Sequence, residues 1–143
     1  MRIVGLDHVQ LALPPDGLER ARRFYGGVLG LTEEPRPASR SLGLWFRAPG
    51  TVLHLGVEPG FTPARKAHPA FLVADLAAAR AALEAAGHPT TDAGSARFHA
   101  FDPFGNRLEF LQTGSGYSER PPTQVVRISA AESPMEVRDA TAF

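Results

Sequence analysis

The segment LGLWFRAPGTVLHLGVE (residues 42–58) has the pattern of a β-hairpin, because two strand-like apolar runs flank Ala48-Pro49-Gly50. In its second run His54 lies between two leucines, Leu53 and Leu55. A single histidine in such a run is most often a core residue that hydrogen-bonds to the backbone. The remainder of the chain must therefore decide whether His54 is a core residue or a ligand.

A second hairpin of the same kind is predicted for RFHAFDPFGNRLEFLQ (residues 97–112). Aligning the two hairpins without a gap places Phe46 on Phe101 and His54 on Glu109. Both polar residues are flanked by large apolar residues. If the flanking residues face helices, alternation directs His54 and Glu109 to the other, concave side of the sheet.

The segments before the two hairpins repeat as well. The predicted elements are a strand (6–13), a helix with a capping-box-like start at Asp16 and Glu19 and an end at Gly30, a short strand (31–34), a strand (68–73), a helix capped by Asp75 (74–87) and a weak strand (88–91). Strand, helix and three strands thus occur twice. Aligning the two starts places His8 on His68.

Composition limits the classes of function. The chain has 143 residues, which matches one domain, and 15 Lys and Arg balance 15 Asp and Glu. No net charge therefore favours nucleic acid or membranes, and no segment approaches the length of a membrane span. The absence of cysteine excludes disulfides and thiolate metal sites, so nitrogen and oxygen must hold any metal. We expect a cytoplasmic protein.

Equivalent positions of the two halves carry three imidazoles and one carboxylate: His8, His54, His68 and Glu109. A buried glutamate is rarely left without a charge partner. Convergence of these side chains would suit a divalent ion such as Zn, Ni, Fe or Mn. The alternative is a Glu109–Arg107 surface pair with scattered histidines.

The sequence resembles the glyoxalase / bleomycin-resistance / dioxygenase (vicinal oxygen chelate) superfamily over about residues 4–114. The resemblance rests on LDHVQLALP…RFYGGVLGL, AHPAFLV.DL and FDPFGNRLEF. It implies an α+β fold of two βαβββ modules, with sheets curled around a cavity and helices outside. It also implies metal ligation by His8, His68 and Glu109. The fourth ligand position, Glu in glyoxalase I and Gln in methylmalonyl-CoA epimerase, falls on His54.

The resemblance implies a metal-dependent enzyme acting on a small, oxygen-rich substrate that chelates the ion. Glyoxalase I uses carboxylates from both modules, but here only Glu109 remains, so a different reaction is expected. Glu109 and His99 are the candidate catalytic bases. Members of this size commonly pair two chains, so we expect a homodimer. The alternative is a metal-free protein that binds a drug or another small molecule, as bleomycin-resistance proteins do.

The cavity wall is predicted from alternation and from the hairpin turns. The expected register places Leu44 beside His54 and His99 beside Glu109, with Trp45 and Arg47 on the opposite face. The residues expected to contact substrate are Gln10, Phe46, Arg97 and Phe101. We assign 1–116 to one domain, with modules at 4–58 and 67–114. The tail, 117–143, is either a flexible end or an arm across a partner.

Overall fold

The structure is a computed structural model that describes residues 1–37 and 41–116. The elements of the first module are β1 (His8–Leu13), α1 (Leu18–Ala21) continuing as a π-helix (Arg22–Val28), β2 (Thr32–Glu34), β3 (Gly43–Ala48) and β4 (Thr51–Val57). Those of the second are β5 (Ala70–Val73), α2 (Leu76–Ala85), β6 (Thr90–Asp92), β7 (Arg97–Phe101) and β8 (Arg107–Gln112). The predicted tail lies outside the described residues.

Hydrogen bonding divides the strands into two four-stranded sheets, in the orders β1-β4-β3-β2 and β5-β8-β7-β6. In each sheet the first and last strands of the module pair in parallel, and the remaining pairs are antiparallel. The predicted α+β fold with two βαβββ modules is therefore confirmed. This topology sets the first strand of each module directly beside its last strand, where the predicted ligands lie.

One apolar core lies between the helices and the two sheets. Alternation along β4 and β8 directs large residues into it, and the helices contribute aromatic and aliphatic side chains. The members that are at most 2% exposed include Phe24, Tyr25, Phe46, Leu53, Leu55, Leu83, Phe98 and Leu108. The opposite face of each sheet is left to the polar residues that alternate with these.

The turn between β7 and β8 is tied to the first module through Asp102, which is only 4% exposed. Its carboxylate accepts hydrogen bonds from the Tyr25 hydroxyl and the Asn106 side-chain amide, both at 2.8 Å. The same amide donates to the carbonyl oxygen of Ala12 at 2.8 Å. These contacts fix the position of β8, which carries Glu109, relative to β1.

Helix α2 begins as predicted, because the Asp75 side chain accepts a hydrogen bond from the Ala78 amide. The predicted cap of α1 is wrong: Gly17 is the N-cap, and Asp16 instead pairs with Arg20 at 3.5 Å. A Cβ on Gly17 would lie 2.8 Å from the Phe104 ring, so any larger residue there would force this ring to move. Within the described residues, no helix is long and apolar enough to cross a membrane.

The predicted register of the first hairpin is wrong by one residue. Pro49 and Gly50 form a two-residue turn, and the positive φ of Gly50 (79°) suits the third position of a type II turn. Trp45 therefore pairs with His54 and shares its face. Phe46 faces the core instead, is 1% exposed and packs against Tyr25 at 5.8 Å between ring centroids. Its expected place on the cavity wall is corrected accordingly.

Candidate metal centre

Three potential metal ligands converge on the polar face of the second sheet: His68, His99 and Glu109. Each offers one ligand atom, and these atoms all lie within 4.8 Å of one another. The β7–β8 register pairs His99 with Glu109, and β5 brings His68 to the other side of the same carboxylate. Strands β7 and β8 and the segment that leads into β5 thus deliver one donor each to a common point.

The contact between His68 and Glu109 depends on which ring nitrogen of His68 carries a proton. The Nδ1 atom of His68 lies 2.7 Å from the carbonyl oxygen of Lys66, which can only accept, so Nδ1 carries the proton. In the neutral imidazole, Nε2 then has no proton and can only accept a hydrogen bond, yet it lies 3.2 Å from Oε2 of Glu109. Two acceptors face each other there unless a proton or a cation joins them.

The Glu109 carboxylate is 7% exposed and is held from its other side by Arg97, whose Nη1 donates to Oε1 at 2.7 Å. Burial by itself would raise the pKa of Glu109. The hydrogen bonds from Arg97 and His68 outweigh burial, so the pKa is lowered from its ordinary value. Glu109 is therefore ionised at neutral pH, the state that a metal ligand requires.

The His99 ring lies edge-on to His68, with 5.4 Å between their centroids, and its Nε2 is 3.9 Å from Oε1 of Glu109. Burial is the main reason that its pKa is lowered, and the positive charges of Arg107 and Arg97 act in the same direction. His99 is thus neutral at pH 7. A neutral imidazole can serve as a ligand or accept a proton.

On the first sheet, three aromatic rings stand side by side across β1, β4 and β3. His54 lies between His8 (centroids 4.1 Å apart, planes at 19°) and Trp45 (4.2 Å, 3°). Both faces of the His54 ring are thereby covered, which fixes its orientation. Burial first, and then the neighbouring His8, lowers the pKa of His54, so this imidazole is also neutral at pH 7. The Nδ1 of His8 contacts Asp7 at 2.7 Å.

Gln10 lines two cavities, of which the first adjoins this row of rings. The first, of about 330 Å³, is also lined by Arg36, Trp45 and His54. The second, of about 380 Å³, extends from Gln10 to His68 along the junction of the two modules. Gln10 thus lines one cavity beside His54 and another beside His68.

The predicted site residues fall into two groups. Arg97, His99, Phe101, Glu109 and His68 share the polar face of the second sheet, where Phe101 is 44% exposed. His8, His54 and Gln10 share the polar face of the first sheet and are not among the three converging ligands.

The sequence analysis missed Trp45 and Arg36 as neighbours of His54. It also offered Arg107 as the possible partner of Glu109, whereas the structure gives that contact to Arg97. Recognising the two-residue Pro-Gly turn would have identified Trp45. The sequence has no comparable signal for Arg36, which belongs to a loop.

One pair of the converging donors has the spacing of two ligands of a divalent metal. Two ligand atoms about 2.1 Å from one ion are about 3.0–3.4 Å apart at tetrahedral or octahedral angles, and Nε2 of His68 and Oε2 of Glu109 are 3.2 Å apart. The hydrogen bond from Nδ1 of His68 to a backbone carbonyl is the usual support of a metal-binding histidine. Imidazole and carboxylate donors suit Zn, Ni, Fe or Mn.

Comparisons with known proteins agree with the fold. The profile of the Glyoxalase/Bleomycin resistance protein/Dioxygenase superfamily matches residues 5–110. A glyoxalase family protein from Bacillus anthracis is 41% identical, with a TM-score of 0.73, over 78% of this chain and 97% of that chain. No curated protein sequence matches the chain.

Two more distant structures show the fold alone. The fosfomycin resistance protein FosX from Listeria monocytogenes is 16% identical (TM-score 0.66, 77% of this chain and 91% of that chain). An antibiotic-binding protein from a Streptomyces species is 21% identical (TM-score 0.59, 77% and 98%). One FosX structure is a complex with Mn(II) and a dihydroxypropylphosphonic acid. From the profile match and the Bacillus anthracis structure, the chain belongs to the glyoxalase/bleomycin resistance protein/dioxygenase superfamily.

Proposed function

We propose that the chain is a divalent-metal-dependent enzyme acting on a small, oxygen-rich substrate that chelates the ion. The observation that carries this proposal is the pair of facing acceptors, Nε2 of His68 and Oε2 of Glu109, which a cation would join. When bound, the metal would act as a Lewis acid on the substrate oxygens. The FosX complex with Mn(II) is consistent with metal use in the family.

We propose that His8, His68 and Glu109 hold the metal, with His54 as the fourth ligand. Within one chain, His8 and His54 lie on a different sheet from the converging group. A second copy can supply the missing donors if the first module of one chain faces the second module of its partner. We therefore propose a homodimer with two equivalent sites. The cytoplasmic location stays a prediction.

The chain's own residues would divide the remaining chemistry. His99 is neutral and is one of the three converging residues, and because it is not among the four proposed ligands it can accept a proton from bound substrate. Glu109 could act as a base only after leaving the metal, and Arg97 would keep its carboxylate oriented. Gln10 and Phe101 would contact substrate.

Mixing two inactive variants tests the cross-chain arrangement. His8→Ala and His68→Ala each remove one ligand from a different module, so neither homodimer should retain a complete site. After unfolding and refolding together, about half of the dimers are mixed, and each holds one intact site of two. We expect bound Mn²⁺ to recover to about a quarter of the parental value. The parent protein alone, unfolded and refolded in the same way, is the control and should bind its full amount of Mn²⁺. If this control binds fully and the mixture does not recover, each site lies within one chain.

The alternative is a metal-free protein that binds or sequesters a small molecule. One observation favours it: Arg97 and His68 can neutralise Glu109 without any metal. The structural similarity to an antibiotic-binding protein is consistent with this use of the fold. Metal analysis of the full chain, purified without added ions, separates the two functions, because only the enzyme requires stoichiometric metal.

A further inference from the structure

Arg107 is a partly buried cation beside the candidate metal centre that the proposed mechanism does not use. It precedes Glu109 by two residues on β8, so the two side chains share one face of the sheet. Across the β7–β8 pair Arg107 is opposite Phe101, and its guanidinium carbon lies 6.0 Å from the centre of that ring. Arg107 and Phe101 thus lie along the sheet next to Glu109 and His99.

The charge of Arg107 has no carboxylate partner in the described part of the chain. The nearest acid on the same face, Glu109, pairs with Arg97 and His68 instead. The guanidinium charge still acts on the site, since it helps to lower the pKa of His99. Buried or partly buried arginines normally meet an anion, and the planar fork of donors matches a carboxylate or a phosphoryl group.

We infer that Arg107, with the exposed ring of Phe101 beside it, binds an anionic group of the substrate. This inference rests on the proposed function and specifies its substrate class: a metal-chelating molecule that also carries an oxyanion, such as a carboxylate or phosphoryl group. Positions two apart on a strand are about 7 Å apart, a distance that one small molecule can span with its chelating oxygens at the metal and its oxyanion at Arg107.

Two hydroxamates that differ in one carboxylate test this inference. Acetohydroxamate chelates metals through two neighbouring oxygens, and the monohydroxamate of succinic acid does the same while carrying a free carboxylate. Both are titrated calorimetrically into the Mn²⁺-loaded full chain. We expect the succinic compound to bind at least about tenfold more tightly, because a hydrogen bond to a charged group contributes about that factor. Arg107→Gln should abolish the difference, and Arg107→Lys should retain part of it.

The control variant is Arg23→Gln, which removes an equal charge from an exposed position on the π-helix. It should keep the full preference for the succinic compound. Equal binding of both hydroxamates by the parent, or a preference that survives in Arg107→Gln, would overturn the inference while leaving the metal enzyme intact. If Arg107→Gln keeps the parent's preference for the succinic compound but light scattering shows that it is no longer a dimer, Arg107 belongs to the subunit interface. Failure of the parent to take up Mn²⁺ would overturn the proposed function and this inference with it.

Discussion

Replacing Asp102 by alanine should destabilise the protein strongly, although Asp102 contacts none of the candidate ligands. Its Oδ1 accepts from the amides of Phe104 (2.9 Å) and Asn106 (2.8 Å). Its Oδ2 accepts from the Tyr25 hydroxyl and the Asn106 side chain. Asp102→Ala would remove this acceptor from the Tyr25 hydroxyl and from one Asn106 donor. Tyr25 is 0% exposed, so water cannot replace the lost partner.

The magnitude follows from the cost of unsatisfied buried groups. Each such group costs about 1–3 kcal/mol, and the turn amides lose their acceptor as well. We expect the free energy of unfolding to fall by about 4 kcal/mol. In urea this corresponds to a midpoint lower by about 2 M. The assay is equilibrium unfolding of the metal-free full chain, followed by circular dichroism.

Tyr25→Phe provides the matched control, because it removes one donor and leaves the other three on Asp102. It should cost about 1 kcal/mol. In the double variant Tyr25 no longer has a hydroxyl to satisfy, so the combined loss should be smaller than the sum by about 1 kcal/mol or more. The claim that Asp102 links the two modules would be refuted if Asp102→Ala lowered the free energy of unfolding by less than about 1 kcal/mol. It would also be refuted if the losses of the two single variants were additive in the double variant.

The remaining predictions concern the site and its titration. His54→Ala should lower the affinity for Mn²⁺ because one of four ligands is removed, and His54→Glu should retain metal because a carboxylate replaces the imidazole; unchanged calorimetric affinity in His54→Ala would make His54 a supporting residue. Metal affinity should hold at pH 7 and fall below about pH 6, because protonated imidazoles compete with the ion; a flat profile from pH 7 to 5 contradicts this. Burial first, and then Asp102, raises the pKa of Tyr25 well above its ordinary value. Above about pH 10 the unfolded chain therefore loses this proton, while the native protein keeps it. The free energy of unfolding consequently declines as the pH rises from about 10 towards the pKa of Tyr25 in the native protein. Urea midpoints at pH 9 and pH 11 should thus differ more in the parent than in Tyr25→Phe, and equal differences would argue against this origin. Light scattering at micromolar concentration should give the mass of two chains, and a monomer would exclude the cross-chain site.

Most of the fold could be predicted because its signals are local. Alternation in β4 and β8 separated core residues from His54 and Glu109, and Asp75 marked the start of α2. The duplicated order of elements indicated two modules, and the family resemblance implied that their sheets surround a cavity. These patterns depend on side chains and their immediate neighbours, which the sequence contains in full.

The errors arose where geometry depends on turns. The first hairpin has a two-residue turn, whereas in the second a backbone hydrogen bond from Asp102 to Asn106 encloses three residues, Pro103–Gly105, with Gly105 at φ 89°. An ungapped alignment therefore shifts β3 by one residue and exchanges its faces, which is why Phe46 was expected where Trp45 lies. The choice between Arg97 and Arg107 as partner of Glu109 depends on side-chain conformation across two strands, which periodicity does not encode.

The most direct test of the central claim is a metal titration of the full chain after complete removal of bound ions. Mn²⁺ binding is measured by calorimetry in the parent, in His68→Ala and in Glu109→Gln. His88→Gln provides a matched control, because that histidine packs against Phe24, away from the converging ligands. We predict one ion per chain in the parent and in His88→Gln, and nearly complete loss in the other two variants. Mn²⁺ binding that is equal in all four proteins would contradict a metal centre at His68 and Glu109.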